Sequence, residues 1–245
     1  MTLEDDRTLI GMLTPSSNTV LEPVTTSILS GLPDVSAHFG RFRVTEISLS
    51  DSALGQFDME PMLAAAELLS DAHVGSICWN GTSAGWLGFE RDRALCAAIE
   101  QRTGVPACSS VLALNEIFEA TCVERFGLVT PYIDDVQSKI IANYAASGFD
   151  CVAERHMQTS ENFAFSRFTT EQIADLCREV AAAKPDAIAV FCTNMRGAEV
   201  AATIEAETGI PVYDTVATAV WAALRQTGVS PNGVTGWGRL FAEVA

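Results

Sequence analysis

Apolar residues along this chain fall into short runs that stop at turn residues, and between the runs they recur at three- and four-residue spacing. Residues 8–13 and 126–130 are such runs, each leading into a Pro, as buried parallel strands do. Residues 73–79 and 187–191 are two more. Helical spacing marks 61–72 and 170–183, the first with Pro61 in its opening turn and the second with Thr169 or Thr170 as a cap before Glu171. Helices over 91–101 and 198–207 stop at Gly104 and Gly209. Two more, 110–119 and 215–226, close each half. Strand and helix alternate throughout, which predicts an α/β chain with parallel sheets flanked by helices.

The pattern is written twice. Gly11-Met12-Leu13-Thr14-Pro15 matches Gly127-Leu128-Val129-Thr130-Pro131 at a shift of 116 residues. Ile99-Glu100-Gln101-Arg102-Thr103-Gly104-Val105-Pro106 matches Ile204-Glu205-Ala206-Glu207-Thr208-Gly209-Ile210-Pro211 at a shift of 105. Two matched blocks in the same order favour duplication over chance likeness between αβ units. The expected architecture is two pseudo-symmetric lobes, residues 1–115 and 116–228, with the active site in the cleft between them. Residues 229–245 form a tail expected to pack back on the first lobe.

Composition narrows the partners. Of 245 residues 48% are hydrophobic and 19% charged, as in a globular chain. Fifteen Lys and Arg against 31 Asp and Glu leave a net charge of −16, so neither nucleic acid nor membrane is an expected partner. An anionic substrate would have to be held by strictly local forces. Residues 1–7 are polar and acidic and do not read as an export signal. The uncharged stretch 72–89 contains Asn80, Gly81, Thr82 and Ser83 and does not read as a membrane span. The seven cysteines are never closer than 12 residues, which excludes CxxC zinc and redox signatures. Their odd number suggests free thiols and a cytoplasmic location. Three scattered histidines argue against a metal site and against a Ser-His-Asp triad.

Ligands of open α/β sheets bind beyond the carboxyl ends of strands. Four segments qualify: Pro15-Ser16-Ser17-Asn18, Asn80-Gly81-Thr82-Ser83, Pro131-Tyr132 and Cys192-Thr193-Asn194. The duplication sets Ser16 opposite Tyr132, and Gly81-Thr82-Ser83 opposite Cys192-Thr193-Asn194. The amides and two hydroxyls of residues 80–83 suit a neutral anion cradle, although the same residues would serve as a helix cap in a tight turn. Cys192 is the only cysteine at such a place. A helix start there would lower its pKa and bring a thiolate within reach at neutral pH. Such a thiol could move a proton to or from carbon, or attack a double bond or carbonyl. Cys96, Cys108, Cys122, Cys151 and Cys177 read as buried structural residues. Cys78 reads as strand core, with a place in the site as its alternative. The Tyr132 phenol could donate to a carboxylate or simply line the site. Asn162 follows a polar stretch, and Arg41 and Arg43 read as solvated.

The opening Ile10-Gly11-Met12-Leu13-Thr14-Pro15-Ser16-Ser17-Asn18-Thr19 resembles that of maleate cis-trans isomerases. These are grouped with arylmalonate decarboxylases in the aspartate/glutamate racemase superfamily, and the resemblance covers nearly the whole chain. It implies the two-lobed fold, chemistry without a cofactor, and a small carboxylate or dicarboxylate substrate. Homo-oligomerisation, as dimer or tetramer, is expected. By resemblance Asn18 and Asn162 bind substrate, Tyr132 binds a carboxylate, and Cys192 is the second-lobe acid or base. Gly81-Thr82-Ser83 resembles the Gly-Thr-Ser of the decarboxylase, which forms a dioxyanion hole. Pro15, Ser16 and Thr193 complete the expected substrate-binding set.

One departure decides the expected reaction. The superfamily's racemases and isomerases carry a cysteine in each lobe, whereas the first-lobe position here is Gly81, unless Cys78 substitutes from a shifted register. Glycine there would leave one thiol and open room on the opposite face. Trp79-Asn80-Gly81-Thr82-Ser83 also resembles racemase-like proteins associated with ectoine breakdown. The leading expectation is a decarboxylase-like lyase with a dioxyanion hole at residues 81–83 and Cys192 as its single proton donor. The alternatives are cis-trans isomerisation by addition of Cys192 to a double bond, racemisation with Cys78 as second base, and a small-ligand binding module.

Overall fold

Apolar on both faces and buried from Ile10 onward, β1 (Thr8–Pro15) is suited to the middle of a covered parallel sheet. The computed structural model describes residues 7–244, so the acidic opening lies, apart from Arg7, outside the described residues. After β1 come α1 (Leu21–Ile28), β2 (Val35–Phe42), α2 (Asp51–Leu54), α3 (Met59–Ser70) and β3 (Ser76–Trp79). The first half ends with α4 (Ala84–Leu87), α5 (Phe89–Thr103), β4 (Ala107–Ser109) and α6 (Ser110–Ala120). The second half opens with β5 (Arg125–Thr130), α7 (Asp134–Ala146), β6 (Asp150–His156), α8 (Asn162–Phe165) and α9 (Thr170–Ala181). It continues through β7 (Ala187–Val190), α10 (Gly197–Thr208), β8 (Val212–Asp214) and α11 (Thr215–Gln226) to the short α12 (Leu240–Glu243).

All strand pairs are parallel, and the two sheets have the orders β2-β1-β3-β4 and β6-β5-β7-β8. These orders are the same once the second sheet is counted from its own first strand, as duplication requires. The central β3 and β7 are buried along their whole length, while the outer β2 and β6 are mostly half-buried. Thr169 is the cap of α9, in a reciprocal capping box with Gln172. Gly104 and Gly209 end α5 and α10 in matching left-handed conformations.

The lobes share one core. The last helices, α6 and α11, lie against each other, and Thr218 of α11 donates to the Ser110 carbonyl at 2.8 Å. Phe118 of α6 meets Phe126 of β5 at 5.4 Å between ring centroids, and Tyr144 of α7 meets Phe89 of α5 at 5.0 Å. Beyond α11 the chain folds back. Trp221 Nε1 donates to the Val244 carbonyl at 2.9 Å, and Arg239 N donates to Glu205 Oε2 at 2.8 Å. Among the described residues no helix is long and apolar enough to cross a membrane.

Candidate active site

The carboxyl ends of β3 and β7 carry the two polar loops that the repeat pairs. After β3 the carbonyls are all engaged: Gly81 O accepts from Ser110 Oγ at 2.8 Å, Thr82 O from Gly85 N at 3.0 Å, and Ser83 O from Leu87 N at 2.8 Å. After β7, Asn194 N donates to Cys192 Sγ at 3.4 Å. Thr193 Oγ1 donates to Asn80 O at 3.1 Å and accepts from Asn18 Nδ2 at 3.2 Å, so one hydroxyl ties three strand ends together across the lobes. Tyr132 reaches over from β5, and its hydroxyl lies 2.5 Å from Thr82 Oγ1, sharing a hydrogen with it. The phenol also faces Cys192, whose thiol it helps to hold.

These groups surround a narrow, partly open cavity of about 20 Å³, room for a single water. Gly81, Thr82, Ser83, Tyr132, Cys192 and Thr193 supply one part of its wall, with Pro15 and Asn162 at the margin. Val44, Ile47, Phe57, Trp79 and Trp86 supply the apolar part. Two loops cover it, one from each lobe. Ile47 N donates to Ser160 O at 2.8 Å and Asn162 N to Thr45 O at 3.0 Å, with an antiparallel bridge between Glu46 and Glu161. A larger hollow of about 400 Å³, lined by Thr19, Pro23, Arg196, Glu199 and Trp237 among others, is a surface depression with no thiol. The small cavity, not the large one, brings the strand-end groups of the two lobes together.

Of the ten residues expected to act here, Ser16 and Asn18 lie off the wall. Ser16 Oγ is bonded to the backbone of Val44, accepting from its N–H at 3.2 Å. Asn18 Oδ1 caps α1, accepting from Val20 N at 3.0 Å and Leu21 N at 2.9 Å. Asn162 Nδ2 donates to Ser17 Oγ at 2.9 Å, so this margin too is internally bonded. Arg41, read above as solvated, donates to the carbonyls of Ser16 at 2.9 Å and Asn18 at 3.0 Å and pairs with Glu22. It fixes the first strand-end turn. Of the wall residues, Phe57 and Trp86 carry no sequence signal beyond being aromatic, Trp79 shows only as the start of the Trp79-Asn80-Gly81-Thr82-Ser83 segment, and Asn194 is legible only as the partner of Ser83 in the repeat. Asn194 Oδ1 accepts from Thr19 N at 3.0 Å, and its Nδ2 donates to Asn162 O at 2.6 Å.

Four expectations need correction. First, the Cys192 thiol is not lowered. Burial pushes it up to about 12, outweighing the N–H groups of Asn194 and Met195 and the Tyr132 phenol. The helix proper begins only at Gly197, so Cys192 lies outside its first turn. Second, Gly81 does not leave open room, because a Cβ built there would fall 1.9 Å from Cζ2 of Trp79. Third, the alternative place of Cys78 in the site falls away: as its main reading has it, Cys78 stays in the core of the first sheet, paired in register with Cys108, and is no part of the wall. Burial raises its pKa well above the usual thiol range. Fourth, only Cys96 and Cys177 of the five supposed structural cysteines are buried. Cys108 and Cys151 are half-buried, and Cys122 is exposed at a turn with φ of 54°.

A buried carboxyl lies under each loop. In the first lobe it is Asp92 of α5, which approaches Trp79 and Ser109 without Oδ2 reaching full hydrogen-bond geometry. In the second it is Asp214 at the end of β8, whose Oδ1 accepts from Val216 N at 2.8 Å. The two come from different positions. The 105-residue shift maps Asp92 onto Gly197 and Ser109 onto Asp214. A Cβ on Gly197 would lie 2.4 Å from Asp214 Oδ2, so the second-lobe carboxyl takes the space its helix leaves free.

Burial raises both carboxyls from 3.8 to about 7. The native state therefore keeps protons that the unfolded chain has lost, and between these limits stability falls as pH rises. Each group accounts for up to about 4 kcal/mol. The urea midpoint of the parent is expected to be higher at pH 5 than at pH 7.5, and Asp92→Asn is expected to reduce that difference by roughly half, Asp214 keeping the rest. An unchanged difference in the variant would mean that Asp92 is ionised in the native state.

Comparison with known proteins follows the same lines. The arylmalonate decarboxylase family profile matches residues 19–241. The arylmalonate decarboxylase of Bordetella bronchiseptica is 26% identical over 237 residues, covering 96% of both chains. The maleate isomerase of Nocardia farcinica is 28% identical over 241 residues, covering 96% of this chain and 95% of that one. A solved structure of the Nocardia farcinica maleate cis-trans isomerase superposes with a TM-score of 0.88 at 25% identity, over 97% of this chain and 99% of that one. That structure is of a Cys-to-Ser mutant with a covalently bound succinylcysteine intermediate.

Proposed function

Because the chain belongs to the arylmalonate decarboxylase family, we propose that it breaks a bond next to the carboxylate of a small carboxylic or dicarboxylic acid, using Cys192 as its single proton donor. The observation that carries this reading is a thiol held protonated on the cavity wall, opposite a glycine. In a decarboxylation, the bond from the α-carbon to one carboxylate breaks and CO₂ leaves. The electron pair passes into the remaining carboxylate as an enediolate. The amides of residues 81–83 and the hydroxyls of Thr82 and Ser83 stabilise its two oxygens, and Tyr132 orients the Thr82 hydroxyl. The Cys192 S–H then gives its proton to the α-carbon, and water restores the thiol. A group with a pKa of about 12 is a competent acid toward a carbanion and a poor nucleophile at neutral pH. Neutral donors also answer the charge problem, since no Lys or Arg need approach the anion. Pro15, Asn162 and Thr193 shape the substrate's margin, while Ser16 and Asn18 hold the turn beside it.

Turnover of 2-methyl-2-phenylmalonate in deuterated water tests the reading. The expected product carries one deuterium at the α-carbon in a single configuration. No product, or a product without deuterium, would overturn it.

The second reading is maleate cis-trans isomerisation, favoured by the likeness to the Nocardia isomerase. There Cys192 would have to act as a thiolate, adding to the double bond and leaving after rotation. Asn194 N and Tyr132 could stabilise that thiolate once substrate had displaced the closing loops. Loss of the cis-alkene proton signals of maleate, with fumarate appearing, would establish it. Their persistence on prolonged incubation would remove it.

A further inference from the structure

Trp79 ends β3 with its ring buried against Phe42, at 5.2 Å between centroids. A Cβ on Gly81 would lie 1.9, 2.3 and 2.5 Å from its Cζ2, Cη2 and Cε2. Atoms do not approach so closely, so the six-membered ring occupies the volume that a side chain at 81 would need. The repeat makes position 81 the counterpart of Cys192. The indole thus stands where an opposing thiol would stand. Little can displace it. Behind the ring about 10 Å³ is free, among Phe57, Met59, Met62, Asp92 and Leu95. The Asp92 carboxyl lies beside the indole and is fully buried.

We propose that Trp79 is the stereochemical gate of the reaction: its ring closes the first-lobe face of the carbanion to protons, and Asp92 is the positioning residue that keeps the ring there. The inference rests on the one-thiol reading and adds a cause for its single configuration. An absent thiol alone would leave the first face open to water, and water would protonate it. A flat, apolar ring on that face admits neither water nor a second base.

The experiment follows 2-methyl-2-phenylmalonate in deuterated water with product enantiomers resolved. The parent is expected to give one enantiomer. Trp79→Ala is expected to give a mixture, while Trp79→Phe, which keeps a ring in place, retains the preference. Asp92→Asn, which keeps the space behind the ring filled, retains it too, and Asp92→Ala, which opens that space, loses it in part. A merely structural role for Trp79 would lower the rate and leave the enantiomer ratio untouched. Unchanged selectivity in Trp79→Ala overturns the gate while the one-thiol reading stands. An inert parent overturns the reading itself and the gate with it. Should Trp79→Ala not fold, Trp79→Leu carries the same test. The placement of the ring has its own measure. Gly81→Cys is expected to lower Tm by roughly 3–10 °C in the parent and by much less in Trp79→Ala. Equal losses in both backgrounds would overturn the placement.

Discussion

Cys192→Ala is expected to lower kcat by roughly 10²–10⁴-fold while ligand affinity changes little, the signature of a lost general acid. The asymmetry follows from the geometry. The thiol is small and buried, and its polar contacts are the backbone N–H groups of Asn194 and Met195 and a phenol, so its removal leaves the cradle at residues 81–83 intact. Phenylacetate binding, read by calorimetry, separates the two effects from malonate turnover. Cys192→Ser is expected to be almost as slow as Cys192→Ala, because a hydroxyl gives up its proton even less readily than the buried thiol. Near-normal turnover in Cys192→Ala would transfer the proton-donor role to another group, with Tyr132 the nearest candidate on the wall.

Thr82→Val should cost roughly 10²–10³ in kcat, the usual effect of removing one oriented donor from an oxyanion site. Valine matches threonine in shape, so the apolar packing around it is kept. Two polar effects remain. The enediolate loses a hydroxyl donor, and the Tyr132 hydroxyl loses the partner now 2.5 Å away. Tyr132→Phe removes the second together with the phenol's contact to the Cys192 thiol but leaves the Thr82 donor in place, so it is expected to cost less than Thr82→Val. Equal losses in the two variants would mean that Thr82 acts only through Tyr132 and does not touch the substrate.

The parts of the fold that could be read from the sequence were those whose burial is one-sided in chemistry. β1, β3, β5 and β7 are apolar on both faces, and no other element would bury such short runs. The outer β2 and β6 mix His38, Arg41, Glu154 and Arg155 with apolar residues, because an edge strand faces water on one side. β4 and β8 are three residues long, and their sequences carry too few positions for any period to show. At the site, the strand-end loops were visible because turn residues interrupt apolar runs. The role of Trp79 was not. An aromatic residue ending a strand reads as core, and only the folded backbone brings its ring over a glycine two residues on. The Cys192 pKa was misjudged for a related reason: proximity to a helix is local, whereas desolvation depends on every element that closes over the thiol.

The exchange of carboxyls between Asp92 and Asp214 bears on how two copies of one unit drift apart. Each lobe keeps an acid at the same place in space, yet a comparison of the halves by sequence sets Asp against Gly at one position and Ser against Asp at the other. The group is inherited as a location, not as a residue. No single substitution converts one arrangement into the other cleanly. Ser109→Asp alone would crowd a second carboxyl against Asp92, while Asp92→Gly alone would empty the site and release the Trp79 ring. Either change made alone in the present chain is therefore expected to lower stability. Ser109→Asp is expected to be the milder of the two, since adjacent carboxyls can share a proton while a cavity beneath the strand-end loop has nothing to fill it.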